Sequence, residues 1–315
     1  MWLSGFVRPL VQWIIVPVST LGLASCSSTI GPNPSPGAHN IQNVFIIMME
    51  NHNWTGDGTS SIQNNPDTPY INLTLLPASA HASNYNNPPH IHPSLPNYLW
   101  LEAGTNFGIL SDGSVAADSQ STTQHLVSLL NNAGISWKSY DESTDGKSCP
   151  FVGQWHTPFV FFDDVTNNMD PTSAYCIAHV RPLSELDTDL AAGTAARYNF
   201  IVPDACHSMH TVCNRKNRIA EGDTWLSQQV PSILNSSAYK NGGALFILWD
   251  EASKGDGPIP LLILSPFAKG GGYTNSTYYN HGSTLRTMEE IFGVQPFLGN
   301  AAQETDLGDF FTAFP

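Results

Sequence analysis

Three apolar runs in this 315-residue sequence stop abruptly at acids. Val44–Met49 ends at Glu50-Asn51, Tyr198–Val202 at Pro203-Asp204, and Ala244–Trp249 at Asp250-Glu251. One acid after an apolar run is an ordinary exit from a core. If the runs are strands of one sheet, their acids share one edge. Carboxylates crowded together raise one another's pKa unless a cation lies among them. A divalent metal is the simplest resolution. Glu50, Asn51, Asp250 and Glu251 are the expected ligands. Their oxygen donors suit Mg²⁺, Ca²⁺ or Mn²⁺ better than Zn²⁺, which would favour the histidines.

A hydroxyl and several imidazoles accompany the acids. Ser94, in Pro93-Ser-Leu-Pro-Asn97, opens a predicted helix that runs to Ala103, with Gly104 as its stop. A serine at that place is most often an N-cap. It becomes a nucleophile when a metal or a base eases loss of its proton. Free N–H groups of the first turn could hold an anionic substrate. His156, His207, His210 and His281 are candidates for the remaining roles, and each has a plain structural alternative. His207 and His210 could be polar residues of a disulfide loop, His281 the cap of a helix starting near Ser283, and His156 a ring packed on aromatics. His90 and His92 carry the weakest signal.

The elements that must position these groups alternate between strand and helix. Further strands are predicted over Ile135–Tyr140 and Ile259–Leu264. Helices are predicted over Thr122–Ala133, Leu183–Ala191, Glu221–Leu234 and Ser283–Phe292, with Gly293 closing the last. Residues 55–92 and 141–182 read as loop. No repeat and no second linker interrupts the chain, so residues 41–315 form one α/β domain, with its site at the carboxyl ends of the strands.

Residues 1–26 resemble an export signal. Arg8 is followed by the apolar Val11–Leu23 and by Leu23-Ala24-Ser25-Cys26, a lipobox-like tetrapeptide that marks Cys26 for lipidation. An ordinary cleaved signal and an uncleaved anchor are the alternatives. Residues 27–40 form a Pro/Ser/Gly linker. The net charge of −14 argues against a nucleic-acid partner and offers no basic patch to anionic lipid. Membrane contact is therefore expected only through the lipid anchor. Four cysteines remain beyond Cys26, and an exported chain would pair them. The local pairs Cys149–Cys176 and Cys206–Cys213 are favoured.

Several of these blocks resemble one family. Val44-Phe-Ile-Ile-Met-Met-Glu-Asn-His52 resembles the opening signature of the bacterial and fungal phosphoesterases that include acid phosphatases and phospholipases C. His92-Pro-Ser-Leu-Pro-Asn-Tyr98 with Gly104-Thr-Asn-Phe-Gly108 is similar to the acid-phosphatase branch. Trp155-His-Thr-Pro-Phe159, Val202-Pro-Asp-Ala-Cys-His-Ser-Met-His210 and Gly222-Asp-Thr-Trp-Leu226 resemble its next blocks, and Leu248-Trp-Asp-Glu251, Ile263-Leu-Ser-Pro266 and Tyr279-Asn-His-Gly-Ser-Thr-Leu-Arg286 its last. The resemblance covers residues 42–294 in order.

It implies an alkaline phosphatase-like, three-layer α/β/α sandwich with a central, mostly parallel sheet. It implies Glu50, Asn51, Asp250 and Glu251 as metal ligands and Ser94 as nucleophile. Ser94-Leu-Pro-Asn97 also resembles the nucleophile motif of nucleotide pyrophosphatases/phosphodiesterases. Two-zinc members of the superfamily place histidines where this chain has Ser208 and Glu251. Those changes favour one oxygen-ligated metal. His210 and His281 are then the expected general acids, with Asn97, His156 and His207 on the substrate. The phospholipase branch has an Asp-His pair after the residue matching Glu251, and this chain has none. The expected activity is that of an exported acid phosphatase acting on small phosphate monoesters through a phosphoserine. The alternatives are a phospholipase C-type diesterase acting on a phospholipid head group and a ligand-binding lipoprotein without catalysis.

Overall fold

A computed structural model describes residues 1, 2, 5, 40–213 and 217–315. Cys26, the linker over 27–39 and most of the signal-like stretch lie outside the described residues. Every described element belongs to the unit Pro36–Pro315.

The most apolar runs occupy the middle of the sheet, because only there are both faces of a strand covered. β1 (Asn43–Met49) lies between β5 (Tyr198–Val202) and β6 (Gly243–Trp249), parallel to both. The remaining strands are β2 (Ala80–Ala82), β3 (Trp137–Asp141), β4 (Val180–Pro182), β7 (Leu261–Leu264) and β8 (Thr274–Asn275). The order is β4-β3-β5-β1-β6-β7-β2-β8, and only β7 runs against the rest. The register of β1 on β6 pairs Met49 with Trp249, so Glu50 and Asp250 leave the sheet side by side.

The helices of seven residues or more among the described residues are α1 (Ser94–Ala103), α2 (Leu126–Asn132), α3 (Leu186–Ala192), α4 (Arg218–Asn235) and α5 (His281–Phe292). α1 packs on α2 and α5, whereas α3 packs on α4, which gives the outer layers of the α/β/α sandwich. Gly104 ends α1 in the left-handed conformation that favours glycine (φ 68°). α5 starts two residues before the expected Ser283. Asn280 accepts N–H groups from Gly282 and Ser283, and Ser283 Oγ accepts from the N–H of Asn280, a reciprocal cap that places His281 inside the first turn. β2 falls in a stretch read as loop, and short helical turns occur within 71–78 and 158–179. These pieces are too short to show a period.

Both expected disulfides form. Cys149 pairs with Cys176 and Cys206 with Cys213, at Cα–Cα separations of 5.5 and 5.6 Å. The second closes the loop that carries His207 and His210. Among the described residues, no helix is long and apolar enough to cross a membrane.

Candidate active site

Glu50 is fully buried at the end of β1. Its Oε2 accepts from Ser94 Oγ at 2.9 Å, and its Oε1 accepts from the Tyr98 hydroxyl at 2.5 Å. Ser94 and Tyr98 are four residues apart on α1 and share one face. Asp250 Oδ1 accepts the main-chain N–H of Asn51 at 3.0 Å and of Glu251 at 2.6 Å, whereas its Oδ2 is buried without a partner. Glu251 Oε2 accepts from Asn97 Nδ2 at 3.2 Å and lies 2.8 Å from His92 Nδ1. The sheet edge thus gathers three carboxylates and a serine hydroxyl. Asn51 has a left-handed backbone (φ 56°), as does Met209 (φ 72°) in the facing loop, where Ser208 O accepts the Glu50 N–H. Such conformations cluster at functional sites.

The electrostatics are those of a cluster lacking a cation. Burial pushes Glu50 up to about 8, despite the hydrogen bonds from Tyr98 and Ser94 that favour its charge. Burial, with the nearby charges of Glu50 and Glu251, holds Asp250 well above the usual carboxylate range. Burial therefore disfavours the charged form of both acids, and a nearby positive charge would favour it. The orphaned Asp250 Oδ2 and the all-oxygen donor set fit a hard divalent ion. A second group joins Glu142, at the end of β3, with Asp204 and His207, whose ligand atoms lie within 4.8 Å of one another. His207 Nδ1 is 2.9 Å from Glu142 and 3.4 Å from Asp204.

The family match decides how these groups are read. Residues 80–295, more than half of the chain, match the model of the Phosphoesterase family. The chain belongs to that family. The phosphoesterase is 26% identical to a phosphatidylinositol-3-phosphatase of Mycobacterium tuberculosis over 97% of this chain and 98% of that protein. It is 23% identical to a probable acid phosphatase of Kluyveromyces lactis, over 66% of this chain and half the length of the relative. A crystal structure of an alkaline phosphatase superfamily protein from Vibrio parahaemolyticus matches at TM-score 0.56 and 13% identity. That match covers 85% of this chain and 69% of the other, and it concerns the fold. The phosphoesterase is a hydrolase of phosphoric ester bonds.

The histidines do not all stand where the sequence suggests. His281 is a correction. Its Nε2–H donates to the Asp250 carbonyl at 2.5 Å and its Nδ1 accepts from the Tyr85 hydroxyl at 2.9 Å, with the ring fully buried. Burial lowers it to about 4. With both nitrogens occupied, it braces Asp250, and its N–H is engaged by that carbonyl and not turned to a leaving group. His156 stands against Glu50. Its Nε2 contacts Glu50 Oε1 at 3.2 Å and its ring stacks on Tyr98. Burial lowers its pKa to about 4, and the ring braces Glu50. Asn97 spends its N–H groups on Ile91 O, Pro93 O and Glu251, leaving only a buried Oδ1 free. His207 belongs to the Glu142 group. His210 is exposed, with its ring 6.2 Å from that of His156, and remains near the site.

The first turn of α1 also differs from expectation. The Leu95 N–H is capped by Asp112 Oδ1 at 2.9 Å, so it is not free for an anion. Sequence reasoning missed Asp112 and Tyr98 and placed His92 among the weakest signals. His92 bridges Glu251 and Asp256, and its bond to Glu251 leads the effects that raise it to about 9. It is therefore the cationic histidine beside Ser94. Tyr98 was open to discovery from its i+4 spacing to Ser94. Asp112 and Asp256 sit in loops with no local signature.

Proposed function

We propose that the phosphoesterase is an exported, metal-dependent acid phosphatase that cleaves phosphate monoesters through a phosphoserine on Ser94. The observation that carries this reading is the Ser94–Glu50 hydrogen bond at 2.9 Å, which seats a hydroxyl among buried carboxylates. Glu50, Asn51, Asp250 and Glu251 would hold the cation, which would lower the pKa of the serine hydroxyl and offset phosphoryl charge. Ser94 attacks phosphorus, the ester oxygen leaves with a proton, and water then frees the serine. Tyr98 and His156 fix Glu50, His281 fixes Asp250, and Asn97 with His92 fixes Glu251. His210, exposed with its ring 6.2 Å from that of His156, is the candidate to protonate the departing alcohol.

Both relatives, named a phosphatidylinositol-3-phosphatase and a probable acid phosphatase, support the monoester reading. The paired cysteines support an oxidising compartment, in keeping with a lipoprotein anchored at Cys26 and a catalytic domain over 41–315. The test is turnover by the metal-stripped full chain, resupplied with Mg²⁺, Ca²⁺, Mn²⁺ or Zn²⁺, on a phosphate monoester and its matched diester. Cation-dependent turnover of the monoester that disappears in Ser94→Ala is the expected result. Turnover of the diester alone would overturn the reading in favour of a phospholipase C-type activity.

A further inference from the structure

We infer that a cavity of about 310 Å³ beside the start of α1 receives the leaving group of the ester, and that this leaving group is apolar and uncharged. The inference rests on the phosphatase reading and names the substrate class for that site. Its lining includes Asp112, Val115, Phe151, Val152, Trp155 and Phe161. The volume is at the lower end of the roughly 300–1,000 Å³ typical of small-molecule sites.

The cavity adjoins the chemistry on two sides. Asp112 accepts the N–H of Leu95, the residue after Ser94. Trp155 immediately precedes His156, which touches Glu50. A group bonded to phosphorus at Ser94 therefore has this cavity as a neighbour. Val115 and Phe161 supply a buried apolar wall, 2% and 1% exposed. Val152 and Trp155 remain 91% and 39% exposed, apolar surface held in water at the rim. Covering such surface is favourable, and this gain is open to an aryl or alkyl group but not to a small polyol.

Charge sets the other half of the preference. Asp112 is the one ionisable residue of the lining, and no lysine or arginine borders the cavity. A second phosphate or a carboxylate on the leaving group would meet a like charge. The cavity thus selects against nucleotides and sugar bisphosphates as well as for apolar esters.

The test uses the full chain loaded with Mn²⁺ and two substrates, 1-naphthyl phosphate and glycerol 3-phosphate. The measured quantity is the ratio of their kcat/KM values in the unaltered protein, in Trp155→Ala and in Val152→Asp. Apolar pockets discriminate by about 10–200-fold for each group they cover. The ratio should favour the naphthyl ester by about tenfold or more and fall by about tenfold in each variant. A ratio near one in the unaltered protein, or one that neither variant moves, overturns the inference. Absence of turnover on both esters overturns the phosphatase reading instead. Saturable binding of 1-naphthyl phosphate, kept or lost in Trp155→Ala, then decides the pocket by itself, loss supporting it and retention overturning it.

Discussion

Helix α1 joins two clusters in which a buried glutamate, Glu50 or Glu102, is balanced differently. At its first residue, Ser94 meets Glu50, beside Asp250 and Glu251; His156 touches Glu50, and His92 pairs with Glu251. Near its end, Glu102 meets His125 at 2.9 Å, and the other nitrogen of that ring lies 3.0 Å from Asp164. Phe162 stacks on the imidazole with centroids 3.8 Å apart, and Ser128 donates to Asp164. In the second cluster the imidazole bridges both acids, its pKa is raised, and none of the carboxylate oxygens is buried without a partner. The first leaves Asp250 Oδ2 orphaned. Burying acids costs free energy in both places. Where the fold needs only a strut, the chain supplies the counter-charge. At the first cluster the chain supplies His92 to Glu251, and under the proposed function a recruited cation would supply the counter-charge for Glu50 and Asp250.

The largest effect should come from making the first cluster neutral. Glu50→Gln keeps the shape but removes a ligand and the acceptor charge opposite Ser94. Turnover of a monoester should fall about a thousandfold or more, the weight of several kcal/mol of lost charge stabilisation. Stability should move the other way. Without metal, the variant should unfold at the same temperature as the unaltered protein or higher, because a buried charge site has become a neutral one. A divalent cation at 100 times its dissociation constant should stabilise the unaltered protein by about 2.7 kcal/mol and leave the variant unmoved. Kinetics and calorimetry with and without chelator check both halves. Equal cation stabilisation of the two proteins would break the comparison.

The second cluster should respond as a strut does. His125→Gln leaves Glu102 and Asp164 facing each other without a cation. Removing one partner of a buried pair costs about 3–5 kcal/mol, so the unfolding midpoint should fall steeply. Cation affinity at the first cluster should be retained, which titration calorimetry reads directly. A variant that lost cation affinity and kept its stability would reverse the roles assigned here.

These two clusters were unequally legible in the sequence. The strand-end acids announced themselves, because an apolar run that stops at Glu50 or Asp250 is a local signal and the β1–β6 register then aligns them. The helix from Ser94 to Ala103 was legible for the same reason, a proline-rich start and a glycine stop. Contacts made across the chain were not. His92 meets Glu251 across 159 residues, and nothing near either residue marks the pairing. His281 misled because spacing shows that an imidazole is near the site but not that both of its nitrogens are already taken. The His125 cluster was invisible for a simpler reason. Its three members come from α1, the cap of α2 and a single turn over Asp163–Thr166, and each reads alone as an ordinary polar residue.

The smallest expected effect is also the most selective, since it reads the protein cation alone. Burial pushes the His125 pKa down, but hydrogen bonds to Asp164 and Glu102 outweigh it, and the result is raised above 6.5. A cation whose folded pKa is raised stabilises fully below its unfolded value and loses that contribution as pH climbs through the folded value. Glu102 adds to the same trend. Burial raises it above 4.5 despite its bond to His125, so the folded state holds the extra proton until pH passes that raised value. Asp164 runs the other way. Burial would raise it, yet its bonds to His125 and Ser128 leave it lowered, and its contribution fades only as pH falls below 3.8. The stability gap between the unaltered protein and His125→Gln should therefore be widest near pH 5–6 and narrow towards alkaline pH. Its slope should not exceed that of one proton, about 1.4 kcal/mol per pH unit. Glu50 and Asp250 titrate in both proteins and cancel in the difference. Denaturant unfolding at pH 5, 7 and 9 measures that gap. If it stays constant across the series, His125 is a neutral hydrogen-bonding ring, and the contrast between a built-in and a recruited cation no longer holds.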